Sequence, residues 1–273
     1  MPAISVVLPV YNSEKYILET LRSVVNQTLT PDEVIVVDDK STDGTESVVR
    51  ALMENHDNIR LISLRENSGG PATPRNLGVG AAKGDFIAFL DADDVWHSQK
   101  LEIQYALTKD TNVDFVSSRS WKLLSERAPT ESNLIKNRMP KIHKTTMVTR
   151  KDFICRNPLC ASSVFVKKRI VEKIRFDNRK EFVAIEDYVA WRKIHDSVID
   201  FSLRLDFPLV DYRVHENSIS FSKLRMAART FRYLREYHAN SIPMLPRLIL
   251  EFLGYAMCGT WKRCVREIQK EWH

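Results

Sequence analysis

Glycine and cysteine are both scarce in this 273-residue sequence, with 8 and 4 residues respectively. No Gly-x-Gly-x-x-Gly stretch follows the first apolar segment, which disfavours a dinucleotide-binding enzyme. The cysteines form two neighbouring pairs, Cys155 with Cys160 and Cys258 with Cys264. Neither pair has the two-residue gap of a zinc knuckle or a redox motif. We therefore interpret all four as free thiols.

Long apolar runs are also missing. No stretch of about 18 uninterrupted apolar residues occurs, so we predict no membrane-spanning helix. Neither a charged first region nor a cleavage site is found in the opening residues MPAISVVLPVYN, so we expect no signal peptide and a cytoplasmic location. Hydrophobic residues nonetheless make up 44% of the chain, which is enough for a packed core.

The positive charge of the chain is concentrated near its C-terminal end. The formal net charge is +6, and residues 222–273 contain ten Lys or Arg against four Asp or Glu. This segment therefore carries the whole excess, and residues 1–221 are balanced. Any anionic partner is expected to bind this segment. Nucleic acid is disfavoured as a partner, because no recognised nucleic-acid-binding motif accompanies the basic residues.

Apolar segments of strand length alternate with helical patterns in the first third of the chain. These predicted strands occupy 4–10, 33–37, 59–64 and 86–90. Because strands that alternate with helices build parallel sheets, we predict an α/β fold with a mainly parallel sheet and helices on both faces. The later predictions are strands at 113–116, 162–166 and 208–214, a helix at 186–194, and a polar loop or flap at 125–148.

Helix boundaries are predicted from capping residues. Asn12 or Ser13 is expected to cap the first helix, and Ser41 the second. A short third helix is predicted to begin at Arg75 and to end near Gly84 as its C′ residue.

Acidic residues follow two of the predicted strands. Asp38 and Asp39 end the second strand, and Asp91, Asp93 and Asp94 follow the fourth. Ligands of open α/β sheets bind beyond the carboxyl ends of the strands. Five acids gathered there repel one another, and a cation would relieve the repulsion. Oxygen-only ligands favour Mg²⁺ or Mn²⁺, which commonly bridge a substrate diphosphate. The alternative is that these acids cap helices and turns.

Six motifs in this order and spacing resemble glycosyltransferase family 2, a family of nucleotide-sugar enzymes with the Rossmann-like GT-A fold. The resemblance covers most of residues 1–221. The motifs are Val6-Val-Leu-Pro-Val-Tyr-Asn12; Val36-Val-Asp-Asp39 with Ser41-Thr-Asp-Gly44; Arg75-Asn76 followed by Gly78, Ala81 and Gly84; Phe89-Leu-Asp-Ala-Asp-Asp94; Glu186-Asp187-Tyr188 with Trp191; and Tyr212-Arg213-Val-His215 with Ser218 and Ser220.

The resemblance implies a nucleotide-diphosphate site. Pro9, Tyr11 and Asp39 would hold the uracil ring of a UDP-sugar. Asp91 would lie near the ribose, and Asp93 would bind Mn²⁺ or Mg²⁺, which in turn grips the diphosphate. Asp94 receives no role from the resemblance.

The resemblance also implies a general base, Asp187, within the Glu186-Asp187 motif. Sugar transfer needs a carboxylate that takes the proton of the acceptor hydroxyl. A single base opposite the leaving group gives inversion, and no second, nucleophilic carboxylate is evident. The alternative is that Glu186 and Asp187 merely begin a helix, where the helix dipole favours acids.

Three cationic residues and two tryptophans near these motifs have two interpretations each. Arg75 would reach the nucleotide or its phosphates, since a bound anion would suit the start of a helix, or it is an exposed residue of the first turn. Arg213 and His215 would clamp the diphosphate or complete the metal shell, or they are exposed polar residues. Trp96 would stack on a sugar or would pack in the core, and Trp191 is expected to pack behind Asp187 or to border the acceptor.

We predict a GT-A domain over 1–221, with a nucleotide-binding half at 1–112 and an acceptor-binding half at 113–221 that includes residues 157–163. A basic amphipathic helical tail follows at 222–273. Bacterial members of the family often act on lipid carriers, so the resemblance implies a saccharide or undecaprenyl-diphosphate-linked acceptor. We expect the tail to hold the protein on the cytoplasmic face of the inner membrane. The alternative is that the tail packs on the catalytic domain or on another subunit.

The function implied is that of an inverting, metal-dependent glycosyltransferase of surface polysaccharide synthesis, such as O-antigen or capsule. The alternatives are a catalytically inactive, nucleotide-sugar-binding relative or scaffold protein, and a nucleotidyltransferase. The sequence leaves the donor sugar, the acceptor, the choice between Mn²⁺ and Mg²⁺ and the oligomeric state open.

Overall fold

The computed structural model describes residues 3–124, 144–154, 156–214 and 223–239, with side chains of the last range from Met226 onward. The strands are β1 (Ile4–Val10), β2 (Glu33–Asp38), β3 (Ile59–Ser63), β4 (Phe86–Phe89), β5 (Val95–Trp96), β6 (Phe115–Leu124), β7 (Thr145–Thr149), β8 (Phe165–Lys167) and β9 (Phe201–Val214). The helices are α1 (Glu14–Val25), α2 (Thr45–Met53), α3 (Ala72–Ala81), α4 (Lys100–Thr111), α5 (Lys168–Lys173), α6 (Glu186–Ser197) and α7 (Lys223–His238).

The strands form one nine-stranded sheet in the order β3-β2-β1-β4-β8-β6-β9-β5, with β7 on β9. This confirms the predicted α/β fold class. Strands β3, β2, β1 and β4 pair in parallel, as predicted from the helices that connect them. The remaining part is more mixed than the sequence predicts, because β8 runs antiparallel to β4 and β6, and β9 runs antiparallel to β5 and β7.

Both faces of the sheet are covered by helices. On one face, Val7 and Phe89 pack with Trp191 of α6. On the other face, Leu8 packs with Ile17 of α1. The alternation along β1 follows from the period of two in a strand, whose successive side chains point to opposite faces. The two buried faces hold α6 and the parallel strands in fixed positions, and this fixes the residues at their ends.

Helix α1 begins where predicted, directly after Ser13, whereas α2 begins later than predicted. Ser13 precedes α1 but its side chain makes no capping hydrogen bond, and α2 begins after Gly44. The Ser41 hydroxyl instead donates to Asp38, at 2.5 Å. The reason is that short polar side chains also bond neighbouring loop groups, and this competes with capping.

The predicted bounds of α3 are wrong by a few residues at each end. The helix begins at Ala72, so Pro74 and Arg75 lie in its first turn, where a proline is tolerated. It ends at Ala81, and the next residue is already extended. Gly84 is therefore not its C′ residue. A Cβ atom at Gly84 would lie 2.8 Å from the Ala3 carbonyl oxygen, so close packing explains this glycine.

The middle of the chain contains more strand than the sequence indicates. Strand β7 lies within the predicted loop at 125–148, of which residues 125–143 lie outside the described ranges. Strand β9 begins at Phe201, well before the predicted 208, and pairs with β6 in parallel over most of its length. Its first half alternates apolar and polar residues from Phe201 to Phe207, which is a strand pattern that the prediction omits.

The first helix of the predicted tail, α7, packs on the helices and strands that precede it in the chain. Tyr233 and Leu234 of α7 are buried in the same core as Trp191. Arg179 forms an ion pair of 2.9 Å with Glu236 of α7. The apolar face of α7 is thus used inside the molecule, as in the packing alternative. No helix within the described ranges is long and apolar enough to cross a membrane. The rest of the predicted tail, 240–273, lies outside those ranges.

Candidate active site

The loops after β1 and β2 are locked together at the carboxyl edge of the sheet. Asn12 and Lys40 have left-handed backbones, with φ of 46° and 62°, so each strand turns sharply where it ends. The Asn12 side chain accepts the Thr42 N–H at 2.8 Å, and the Asn12 N–H donates to Ser41 at 2.9 Å. Tyr11 is 49% exposed at this edge. Its ring is therefore open to a planar ligand.

Asp39 lies beside Tyr11 in a more enclosed position. It is 3% exposed, and one carboxylate oxygen accepts the Ser68 N–H at 2.8 Å. Burial raises its pKa, and the charge of Asp38 adds to this effect. Pro9, also predicted to touch the base, is buried within β1 and paired with Val37. Its ring can shape the floor of the site but its exposed surface is small.

The acidic loop after β4 contains three carboxyl groups in different surroundings. Asp94 is fully buried, accepts the Ser162 hydroxyl at 2.5 Å and accepts the Arg213 N–H at 2.9 Å. Burial raises its pKa well above the usual range, and the charges of Asp93 and Asp91 raise it further. Asp94 thus anchors the loop. Asp93 remains partly exposed beside it.

Arg75 is buried rather than exposed, and its guanidinium is engaged by carboxylates of the protein. It is 2% exposed, and its guanidinium donates to Asp91 at 2.6 Å and to Glu186 at 2.7 Å. Burial lowers its pKa, but the charges of Asp91, Glu186 and Asp187 outweigh this and raise it, so Arg75 stays charged. The cation in the first turn of α3 is therefore stabilised by two carboxylates of the protein rather than by a bound anion.

Asp187 lies at the start of α6 next to this ion pair. Its Oδ1 accepts the Tyr188 N–H at 2.7 Å, and its Oδ2 accepts the Asn157 side-chain amide at 2.8 Å. Burial and then the charge of Glu186 raise the pKa of Asp187 to about 7, against the opposing effect of Arg75. A carboxyl group with this pKa can accept a proton at neutral pH.

Glu186 has a different role from its neighbour. It is 4% exposed, and one oxygen is held by Arg75. Its location within the ion pair leaves it poorly placed to meet a substrate. The preceding Ala184 has a left-handed backbone with φ of 70°, a costly conformation for a residue with a Cβ atom. This turn directs the start of α6 toward the acidic loop.

Both tryptophans of the predicted site are buried. Trp96 is 1% exposed, and its indole N–H donates to the Ser162 carbonyl at 2.8 Å. Trp191 is fully buried and packs against Phe89 and Phe115. Neither ring faces a sugar, so the packing alternative is correct for both. Their burial follows from the large apolar area of indole.

Arg213 is also engaged within the protein. It is 4% exposed, and its guanidinium donates to Glu19 at 2.6 Å and to the Asp93 carbonyl at 2.8 Å. It therefore fixes the backbone that carries Asp93 and is not presented to a diphosphate. His215, its predicted partner, lies outside the residues that the structure describes.

The carboxylates of the acidic loop are the candidate ligands for a divalent metal ion. Among the described residues, no group of three or more His, Cys, Asp or Glu side chains is arranged as a metal cage. Asp91 is paired with Arg75, Asp94 is buried, and Asp93 is partly exposed. Mg²⁺ is commonly held by one or two carboxylates together with substrate phosphates. This donor set fits an ion that binds along with a diphosphate rather than alone.

Comparison with known proteins decides the family. The sequence profile described as "Glycosyl transferase family 2" matches residues 5–169, which is more than half of the chain. This chain belongs to glycosyl transferase family 2. The predicted family is thereby confirmed, and with it the prediction of a glycosyltransferase enzyme.

Relatives within glycosyl transferase family 2 match over nearly the whole chain. The "UDP-Glc:alpha-D-GlcNAc-diphosphoundecaprenol beta-1,3-glucosyltransferase WfaP" of Escherichia coli is 29% identical over 267 residues, which is 97% of this chain and 96% of WfaP. WfgD, which has the same description and comes from the same species, is 27% identical over 95% of this chain and 94% of its own length.

A solved structure supports the GT-A fold. The crystal structure of S. aureus TarS 1-349 in complex with UDP superposes with a TM-score of 0.65 at 26% sequence identity. The match covers 87% of this chain and 64% of the TarS 1-349 chain, so this chain spans slightly less than two thirds of that fragment.

Proposed function

We propose that this chain transfers a sugar from a UDP-sugar to a hydroxyl group of a saccharide or lipid-linked saccharide acceptor, with inversion and with a divalent metal ion. One observation carries the proposal. Asp187, with a pKa raised to about 7, lies at the same edge of the sheet as the acidic loop, and Arg75 connects the two through Glu186 and Asp91.

Asp187 is the general base of the proposed reaction. A base that works near neutral pH needs a pKa close to the ambient pH, so that it is unprotonated yet still attracts a proton. The partly buried position of Asp187 and the nearby charge of Glu186 provide this. Asp187 removes the proton of the acceptor hydroxyl as the hydroxyl oxygen attacks the anomeric carbon.

The donor is held on the other side of the edge. Tyr11 offers an exposed ring and Asp39 a hydrogen-bond acceptor to the uracil base. Asp93 would hold Mn²⁺ or Mg²⁺ together with the diphosphate. When bound, the ion offsets the negative charge that grows on the departing UDP. Complexes of TarS with UDP and with UDP-GlcNAc, and the UDP-Glc in the names of WfaP and WfgD, support a UDP-sugar donor.

Inversion is supported by the absence of a second available carboxylate beside Asp187 among the described residues. Glu186 is enclosed in the ion pair with Arg75, and Asp91 is held by the same guanidinium. Retention through a covalent intermediate would need a carboxylate nucleophile that attacks the anomeric carbon from the face opposite the leaving group. A single displacement by the acceptor hydroxyl needs only Asp187.

The names of WfaP and WfgD include a diphosphoundecaprenol acceptor. We extend this class to our chain and place it in bacterial surface polysaccharide synthesis on the cytoplasmic face of the inner membrane. Since the apolar face of α7 is buried, the membrane contact is assigned to the basic residues of 240–273.

The test is a screen of UDP-sugars for UDP release, with Mn²⁺ or Mg²⁺ and with saccharides linked to undecaprenyl diphosphate. We expect one donor and acceptor pair to release UDP and EDTA to stop the release. The alternative of an inactive relative or scaffold predicts UDP binding in calorimetry without turnover of any donor.

A further inference from the structure

We propose that residues 157–162 form a strut that fixes the general base relative to the acidic loop, with Asn157 as the positioning residue for Asp187. The inference rests on the proposed function, because that function makes Asp187 the base. It adds two residues, Asn157 and Ser162, whose contacts join the acceptor half of the site to the donor half.

Asn157 holds the carboxylate of Asp187 in one orientation. The Asn157 amide N–H donates to Oδ2 of Asp187 at 2.8 Å. The amide oxygen of Asn157 accepts the Leu159 N–H at 3.2 Å, which fixes the side of the amide that meets Asp187. Because Oδ1 of Asp187 accepts the Tyr188 N–H, both carboxylate oxygens are held and the group cannot rotate freely.

Ser162 holds the acidic loop at the other end of the strut. Its hydroxyl donates to Asp94 at 2.5 Å and accepts the Asp91 N–H at 3.0 Å. Its carbonyl accepts the indole N–H of Trp96 at 2.8 Å. These hydrogen bonds tie Ser162 to Asp91 and Asp94, at the two ends of the acidic loop, and to Trp96, which follows the loop.

The strut between these two ends is short and well packed. Leu159 and Ala161 are 3% and 4% exposed, and Ser162 is fully buried. A segment of six residues with buried anchors has few alternative conformations, so movement at one end is transmitted to the other. The distance between the base and the donor's diphosphate is thereby set by one continuous piece of chain.

Charged groups around Asp187 come from three other directions. Glu186 on its own helix and Asp91 after β4 raise its pKa, and Arg75 on α3 lowers it. Within the strut, burial raises the pKa of the Cys160 thiol, and the charges of Asp94, Asp91 and Asp187 raise it further, so the thiol remains neutral. Asn157 is the uncharged donor of the set. Its hydrogen bond favours the ionised form of Asp187.

The experiment is an NMR titration of the Asp187 carboxyl carbon in the full chain, assigned with Asp187→Asn. We expect Asn157→Ala to raise the titration midpoint by about one pH unit, since one hydrogen bond to a charged group is lost. The isosteric Asn157→Asp places a second carboxyl group beside Asp187, so the two groups should titrate in two steps. The second step should lie at a still higher pH, because the new carboxylate cannot donate a hydrogen bond and adds a negative charge. Asn58→Ala, which removes a side-chain amide bond to the Pro31 carbonyl, is the matched control.

Ser162→Ala tests the other end of the strut. We expect it to weaken UDP binding in the presence of Mn²⁺ by about tenfold in calorimetry, because the acidic loop loses the hydroxyl that anchors Asp94 and Asp91. An unchanged midpoint in both Asn157 variants, or unchanged UDP affinity in Ser162→Ala, overturns the strut. If both signatures appear while no donor is turned over, the strut stands and the proposed function is wrong. If sugar transfer occurs while neither signature appears, the proposed function stands and the strut is wrong.

Discussion

Arg75 and Glu186 lie 111 positions apart in the sequence and form a buried ion pair of 2.7 Å. The same guanidinium reaches Asp91 at 2.6 Å. One side chain of α3 therefore ties the start of α6, which carries Asp187, to the acidic loop after β4. The expected nucleotide-binding arginine is thus a link within the protein, and its loss would affect both halves of the site.

We predict that Arg75→Ala lowers the free energy of unfolding by about 3–5 kcal/mol, because it leaves Glu186 buried without its counter-charge. Urea denaturation measures the change. Arg50→Ala is the control, because the Arg50–Glu46 pair is exposed and should contribute less than about 1 kcal/mol. Equal losses in the free energy of unfolding of the two variants would show that the buried ion pair contributes no more to stability than the exposed one.

We predict an acid limb in the pH profile near pH 7. The raised pKa of Asp187 means that the group is protonated, and inactive as a base, below about pH 7. The value of kcat/KM should therefore fall about tenfold for each further pH unit below that point. Steady-state assays between pH 5 and about 9 measure it. A flat profile would exclude a titrating base with this pKa.

We predict that Asp93→Ala abolishes metal-stimulated UDP release, whereas Asp206→Ala does not. Asp93 is the partly exposed carboxyl of the acidic loop, and Asp206 lies in an ion pair with Arg119 elsewhere. UDP release at increasing Mn²⁺ concentrations measures the difference. Unchanged metal dependence in Asp93→Ala would remove this residue from the metal site.

We predict that Asp94→Asn is nearly neutral for stability, while Asp94→Ala costs about 1–3 kcal/mol. The amide oxygen of asparagine can still accept the Arg213 N–H, and its N–H₂ can donate to Ser162, whose hydroxyl reverses its role. Alanine leaves both partners unsatisfied in a buried place. Urea denaturation of the two variants checks this, and equal costs would contradict the hydrogen-bond account.

We predict that Leu234→Ala on α7 costs about 2–5 kcal/mol, because Leu234 is fully buried in the core. Phe231→Ala, at a residue of α7 that is 38% exposed, should cost less.

Deletion of 240–273 should release the protein from anionic liposomes while α7 stays in place. Liposome binding that survives this deletion would contradict a membrane role for that segment.

The parallel half of the sheet was predictable because each strand there is a short apolar run followed by a helical pattern. The first half of β9 is also predictable, because apolar and polar residues alternate from Phe201 to Phe207, whereas the prediction from 208 rests only on the apolar second half. The residues gathered at the carboxyl edge were also predictable, since strand ends meet there. Tyr11, Asp39, Asp91 and Asp187 lie at that edge as expected.

Contacts between segments that lie far apart in the sequence could not be predicted from it. Asp94 is one of three similar acids in a row, and only its burial beside Ser162 and Arg213 distinguishes it. Asn157 carries no motif that points to Asp187. Arg75 was expected to meet a phosphate because a carboxylate 111 positions away cannot be paired with it from local patterns. Charge and spacing predict the kind of site, and packing decides which partner each group takes.

The central claim is tested most directly by comparing wild type with Asp187→Asn for UDP release at pH 8, with Mn²⁺, the active UDP-sugar and its acceptor. UDP affinity is measured alongside. The account predicts unchanged UDP binding and a loss of turnover of at least about 100-fold in Asp187→Asn. Turnover at the wild-type rate in Asp187→Asn would contradict the role of Asp187 as the base.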